Sequence, residues 1–285
     1  MNLNPPYNNG DRLLKYDEKT LKHLQKVQLM MLKDLIKICD DNNITYFLDS
    51  GTLLGAIRHG GFIPWDDDID IIMFRKDFEK LNSIMDRNDE KYDFFNVLNE
   101  NTYFYTWGRF TLKNTLFKEW WADQVDYTPN IFIDILILDN IPNNKLKRYF
   151  HLFSGFILNQ LTLHAYIKYE NTSKVKQVIQ QTMYYVLKIL PISAYSIKKK
   201  CVQAYKKYEN EECDDVCQFP SSSQLPIFSK SDFLPPKRAK FEDIEANIPN
   251  NYEVILKRHY GDYMKLPPIE SRFSKAPKKI DFGEY

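Results

Sequence analysis

The sequence is poor in glycine, with nine in 285 residues against a usual share of about 7%. It has four cysteines, at 39, 201, 213 and 217, too few and too unevenly spaced for a disulfide framework. Cys213 and Cys217 have no second close Cys or His pair to complete a zinc site, so free thiols in a reducing compartment are expected. There is no charge excess either: 39 Lys+Arg face 38 Asp+Glu. That balance argues against a generic nucleic-acid binder, whose affinity comes from a basic excess. Met1 to Arg12 is Asn/Pro-rich without an apolar core, which is not the pattern of a signal peptide and points to a cytoplasmic protein. The one long uncharged run, Tyr149 to Ile167, holds His151, Asn159, Gln160, Thr162 and His164, and so reads as a buried or interfacial helix rather than a bilayer span.

What is present is a mixed α/β pattern. Leu21, Leu24, Val27, Met31, Leu35 and Ile38 recur at helical spacing and predict an amphipathic helix over about 17–41. Ile44–Leu48, Ile69–Met73, Phe94–Leu98, Tyr103–Phe110 and Ile131–Leu136 read as strands, with a helix over Lys76–Arg87. Beyond Pro142 the pattern turns helical, near 144–169, 173–190 and 194–210. Cys217–Pro236 reads as a loop, followed by a short extended piece and a helix over about Asn251–His259. The expected division is a catalytic core at 1–142, a helical region at 143–216, and a segment at 217–285 that returns to the core.

The chemistry concentrates in Pro64-Trp65-Asp66-Asp67-Asp68-Ile69-Asp70-Ile71-Ile72. On a strand, Asp68 and Asp70 point one way while Ile69 and Ile71 point into the core. Two carboxylates sharing a small volume raise each other's pKa unless a cation lies between them, and oxygen-only ligands favour Mg²⁺ or Mn²⁺. The bland alternative is a solvated acidic turn. A third acid, Asp134, interrupts the apolar run Ile131 to Leu138 and needs a partner, either that same metal or a buried salt bridge. Asp139 is expected past the strand, in a turn. Upstream, Ser50-Gly51-Thr52 leads into Leu53-Leu54-Gly55-Ala56-Ile57-Arg58 as a loop entering a helix, whose free backbone N–H groups can face a phosphate. Phosphate at the loop and metal at the acids is the arrangement of a metal-dependent nucleotidyltransferase.

The stretch from Tyr46 to Asp70, with Asp49-Ser50-Gly51-Thr52, Arg58-His59-Gly60-Gly61 and Pro64-Trp65-Asp66-Asp67-Asp68-Ile69-Asp70, resembles the LicD family of phosphocholine transferases, which is related to the fukutin proteins. Phe132-Ile133-Asp134-Ile135 and Tyr260-Gly261-Asp262-Tyr263-Met264-Lys265-Leu266-Pro267-Pro268 are similar to further motifs of that family. The likeness covers roughly 25–140 and 232–272. Gly51-Thr52 departs from the Gly-Gly or Gly-Ser more usual in the wider superfamily.

The resemblance implies a nucleotidyltransferase fold of the polymerase-beta type, an α+β core with a mixed sheet, here with a helical addition. It implies transfer of phosphocholine from CDP-choline to a hydroxyl of a cell-surface glycan of the teichoic acid, lipopolysaccharide or capsule type, with release of CMP. Asp68, Asp70 and Asp134 would be the metal-binding and catalytic acids, and Ser50, Gly51, Thr52 and Arg58 would face the donor. Trp107 and Arg109 are a candidate pair for the choline ammonium and the diphosphate, with core packing and a solvated cation as the plain alternatives. The tryptophans Trp65, Trp120 and Trp121 have the same two readings.

Acceptors in this family are often lipid-linked. The region rich in Tyr, Phe and Lys between 145 and 200 is therefore expected either to touch the inner face of a membrane or to cap the core. Two rival functions stay open: a glycosyltransferase whose Asp-x-Asp binds Mn²⁺ and a nucleotide sugar, which would want an open parallel sheet, and a non-catalytic glycan- or choline-binding module.

Overall fold

Asp17 opens the first helix by accepting a hydrogen bond from the Thr20 N–H, and Asn43 closes it in the left-handed region. Between them α1 (Glu18–Asp41) buries Leu24, Val27, Met31, Leu32, Leu35 and Cys39 along one face. The computed structural model describes residues 15–85, 89–96, 99–119, 122–124, 130–167, 174–219 and 227–285. After α1 come β1 (Phe47–Leu48), α2 (Ser50–His59), β2 (Asp70–Phe74), α3 (Arg75–Ile84), β3 (Tyr92–Phe95), β4 (Gly108–Leu112), β5 (Leu116–Lys118) and β6 (Ile131–Ile141). The second half holds α4 (Lys145–Tyr166), α5 (Lys174–Ile189), α6 (Ala194–Tyr205), β7 (Asp215–Gln218), β8 (Ile227–Ser229), α7 (Lys230–Phe233), β9 (Lys237–Phe241), β10 (Ile244–Ile248), α8 (Tyr252–Tyr260) and β11 (Lys279–Asp281).

The central sheet is mixed. Its strands run in the order β1-β2-β6-β4-β3, and β7 and β8 extend it from the far half of β6. Among the described pairings only β2 and β6 are parallel; the others in this sheet are antiparallel. That is a nucleotidyltransferase-like α/β fold with added helices, not the open parallel sheet a nucleotide-sugar glycosyltransferase would want. β6 is the axis, because all but two of its eleven residues are buried. Its register sets Asp134 abreast of Asp70 on one side and of Arg109 on the other.

Several expectations are corrected. The strand over Tyr103–Phe110 begins only at Gly108; Tyr103 to Trp107 is irregular chain whose rings pack in a satellite core with Ile167. Asp139 is no turn residue: β6 runs on to Ile141, and Asp139, 2% exposed, receives both Nε and Nη2 of Arg75 at 2.7 and 2.8 Å. The pairing of Phe74 with Leu138 explains this, since it brings the next residues of the two strands together. The stretch expected as a loop over 217–236 carries strand and helix: Val216 and Phe228 are buried partners in β7 and β8. The division expected between 216 and 217 therefore falls inside a strand of the central sheet. Arg87, Leu98, Trp120 and Trp121 lie outside the described residues.

Candidate active site

The turn between β1 and α2 is built onto the start of β2. The Asp49 N–H donates to the Asp70 carbonyl at 3.0 Å, and the Asp70 N–H donates to Thr52 Oγ1 at 2.9 Å. Ser50 takes a left-handed backbone, uncommon outside glycine, and its hydroxyl donates to the buried Asp49 carboxylate at 3.0 Å. No side chain caps α2 at Asp49. Gly51 faces Asp66 so closely that a Cβ there would lie 2.5 Å from Asp66 Oδ2. Only glycine leaves both the turn and that carboxylate in place.

Opposite the turn is the acid cluster. One carboxylate oxygen from each of Asp66, Asp67 and Asp68 lies within 4.8 Å of the others. Their backbone is held from α1, where Gln25 Nε2 donates to the Asp66 carbonyl and Gln28 Nε2 to the Asp67 carbonyl, both at 2.9 Å. The Tyr16 hydroxyl donates to Asp67 Oδ2 at 2.9 Å. Burial, then Asp67, pushes Asp66 up to about 7. Burial pushes Asp67 up to about 6, against hydrogen bonds from Tyr16 and Ser274. Asp68 and Asp70 are raised well above the carboxylate range by burial and then by repulsion, from Asp70 first for Asp68 and from Asp134 first for Asp70. Burial also raises Asp49, which His259 partly offsets. A site made only of oxygen donors that repel one another suits a hard divalent cation.

Asp134 is held from the other side. Trp107 Nε1 donates to its Oδ1 at 3.0 Å, and Arg109 Nε reaches the same oxygen at 2.8 Å. Arg109 is 2% exposed, also donates to Glu119 Oε2 at 2.8 Å, and sits 3.6 Å from the centre of the Phe132 ring. The salt-bridge alternative for Asp134 is thus realised beside Asp70, and Arg109 has carboxylates where a donor diphosphate was expected. Trp107 packs on Tyr105 with ring centres 4.2 Å apart. Arg58 donates through Nη1 to the Tyr263 carbonyl at 2.9 Å and through Nε to His59, tying α2 to the C-terminal segment.

Five contributors were not singled out from the sequence: Asp49, Tyr16, Glu119, Tyr260 and Ser274. Asp66 and Asp67, which precede the strand and are expected from the sequence to matter less than Asp68 and Asp70, stand with Asp68 at the centre of the cluster. Tyr260, at the end of α8, has its phenol held protonated by burial and by Asp49, Asp70, Asp66 and Asp68. The signal available for Tyr260 was its place at the head of the closing motif.

A glycine turn stitched to a strand whose acids cluster beneath it, on this sheet, defines a nucleotidyltransferase-type centre. Residues 43–151 match the family described as LicD/FKTN/FKRP, nucleotidyltransferase domain. Over 261 residues the chain is 29% identical to the lipopolysaccharide cholinephosphotransferase LicD of Haemophilus influenzae, covering 89% of this chain and 94% of that protein. It is 29% identical over 148 residues to the ribitol 5-phosphate transferase FKRP of Mus musculus, covering 42% of this chain and 30% of the relative. It is 44% identical over 75 residues to an uncharacterised protein of Rickettsia prowazekii, 26% of this chain and 27% of that one. The chain carries a LicD-type nucleotidyltransferase domain at residues 43–151 and is an enzyme, a transferase of phosphate-containing groups.

Proposed function

We propose that the chain transfers phosphocholine from CDP-choline to a hydroxyl of a cell-surface glycan and releases CMP. The observation that carries this is the meeting of the Gly51 turn with Asp66, Asp67, Asp68 and Asp70, in a chain similar along nearly its whole length to a cholinephosphotransferase. In the reaction a bond forms between the acceptor oxygen and the phosphorus of phosphocholine, and the bond from that phosphorus to the CMP oxygen breaks. Asp66, Asp67, Asp68 and Asp70 would hold Mg²⁺ or Mn²⁺. When bound, such an ion neutralises phosphate oxygens and eases ionisation of an incoming hydroxyl.

The chain's own residues do the rest. Gly51 leaves room for the Asp66 carboxylate against the turn, and Thr52 fixes Asp70 through its backbone. Trp107 and Arg109 hold one oxygen of Asp134 and so orient its carboxylate, which would take the acceptor proton. The similarity to a ribitol 5-phosphate transferase supports a second reading, in which the same centre moves a pentitol phosphate. Turnover of CDP-choline, CDP-ethanolamine, a CDP-activated pentitol and a panel of sugar nucleotides, with CMP and UDP release both followed, separates these. CMP release that requires choline supports the proposal; release only with the pentitol donor supports the second reading, and UDP release would overturn both.

A further inference from the structure

Charge is unevenly distributed along the chain. Residues 143–208 hold twelve Lys/Arg and a single Asp/Glu, leaving the rest of the chain with 27 against 37. This same region carries twelve of the nineteen exposed large apolar residues among the described residues. On α4, Leu146, Tyr149, Phe150, Phe153 and Ile157 are between 41% and 67% exposed. At about 100° per residue they fall within one arc of roughly 100°. His151, Gly155, Asn159 and Thr162, on the opposite side, are the buried ones. Gly155 is needed there, since a Cβ would come within 2.5 Å of Phe219.

The helix therefore turns small and polar residues inward and aromatic ones outward, the reverse of a helix that meets water. Tyr149 and Phe153 stack on each other on that outer face with rings 7° from parallel. α5, which packs against α4, repeats the pattern: Val178, Ile179, Tyr185, Val186 and Ile189 are 48–83% exposed and share one face. Lys145 and Lys147 on α4, Lys188 on α5, and Lys199 and Lys200 on α6 are exposed, and none is paired with a carboxylate among the described residues. No helix of the described residues is long and apolar enough to cross a membrane.

We propose that α4 and α5 form an interfacial surface that lies on an anionic lipid bilayer, with the aromatic faces at the headgroup boundary and the lysines among the anionic headgroups. Two signals, apolar area and basic charge, are what such reversible attachment needs, and a protein partner would not call for a basic excess spread over three helices. The inference does not depend on the donor or on the reaction.

The test is flotation of the full chain with vesicles of phosphatidylcholine alone and with phosphatidylglycerol added, at low and high salt. The expected result is recovery with the anionic vesicles, weakened by salt, and little with neutral ones. Lys145→Gln with Lys147→Gln should lower the partition coefficient by about fivefold for each lysine. Phe150→Glu with Phe153→Glu, both exposed and so compatible with folding, should abolish recovery while leaving the melting temperature unchanged. Equal recovery of wild type and the Phe150/Phe153 variant, or no recovery of either, would overturn the proposal. So would a concentration-dependent dimer that these substitutions dissolve without any vesicle binding, because the face would then belong to a second copy of the chain.

Discussion

Replacing Asp66 by Asn should make the cation-free protein more stable at pH 8 and leave it no more stable below about pH 4. Asp66 moves from its ordinary 3.8 to about 7 on folding, because burial and Asp67 oppose its charge. A carboxyl raised by folding contributes stability that is complete below about pH 4 and is lost as the pH climbs through 7. The full shift would correspond to roughly 4 kcal/mol at 1.36 kcal/mol per unit; because Asp66 is only half-buried and coupled to Asp67, about 2 kcal/mol is the better figure. For a chain of this length that is a difference of about 4–8 °C in melting temperature. His59 and His151 are lowered by burial and push the other way in the same window, but both chains carry them, so the difference between wild type and variant cancels their effect. Calorimetric melts in chelator from about pH 4 to 8 provide the measurement. Added Mg²⁺ should stabilise the wild type most at the upper end, where the carboxylates are ionised. A wild-type minus variant difference that stays flat with pH would refute the reasoning, because the acids would then not be repelling one another.

Asp68→Asn, Asp70→Asn and Asp134→Asn should each remove nearly all turnover while the protein stays folded, as circular dichroism and a donor assay would check; a near-normal Asp134→Asn would leave that residue to its salt bridge. Gly51→Ala should cost about 10²-fold in kcat, since its methyl displaces Asp66 by an ångström or so, with a small change in urea midpoint. Arg109→Met should destabilise by about 3–5 kcal/mol in urea titration, because Asp134 and Glu119 lose their shared cation, and the double variant with Asp134→Asn should recover part of that. Trp107→Leu should raise KM for CDP-choline more than for CDP-ethanolamine if its ring meets the ammonium, and should lower kcat equally for both if its role is the hydrogen bond to Asp134.

Local periodicity made much of this legible. The stripe from Leu21 to Ile38 set out α1, and the alternation around Ile69 and Ile71 placed the acids at a strand entrance, although the strand itself starts only at Asp70. What stayed hidden depends on pairing between distant segments. Nothing near Asp139 announces Arg75; the parallel register of β2 on β6 joins them. The aromatic run from Tyr103 to Trp107 looks like a strand because its rings are buried, yet they pack in a satellite core outside the ladder. β7 and β8 are short and flank a Ser/Pro-rich stretch whose composition reads as loop. At the site, the Gly51 turn and the in-phase acids were readable, whereas Asp66 and Asp67 gain their place only because α1 grips their carbonyls through Gln25 and Gln28.

The most direct test of the central claim is a quantitative account of CMP formed and phosphocholine transferred, using purified full-length protein, CDP-choline and a hydroxyl-bearing glycan acceptor, with Mg²⁺ and with excess chelator. The account predicts CMP and phosphocholine-modified glycan in equal amounts, abolished by chelator and by Asp68→Asn. Transfer that continues undiminished in chelator, or that survives Asp68→Asn, would contradict it.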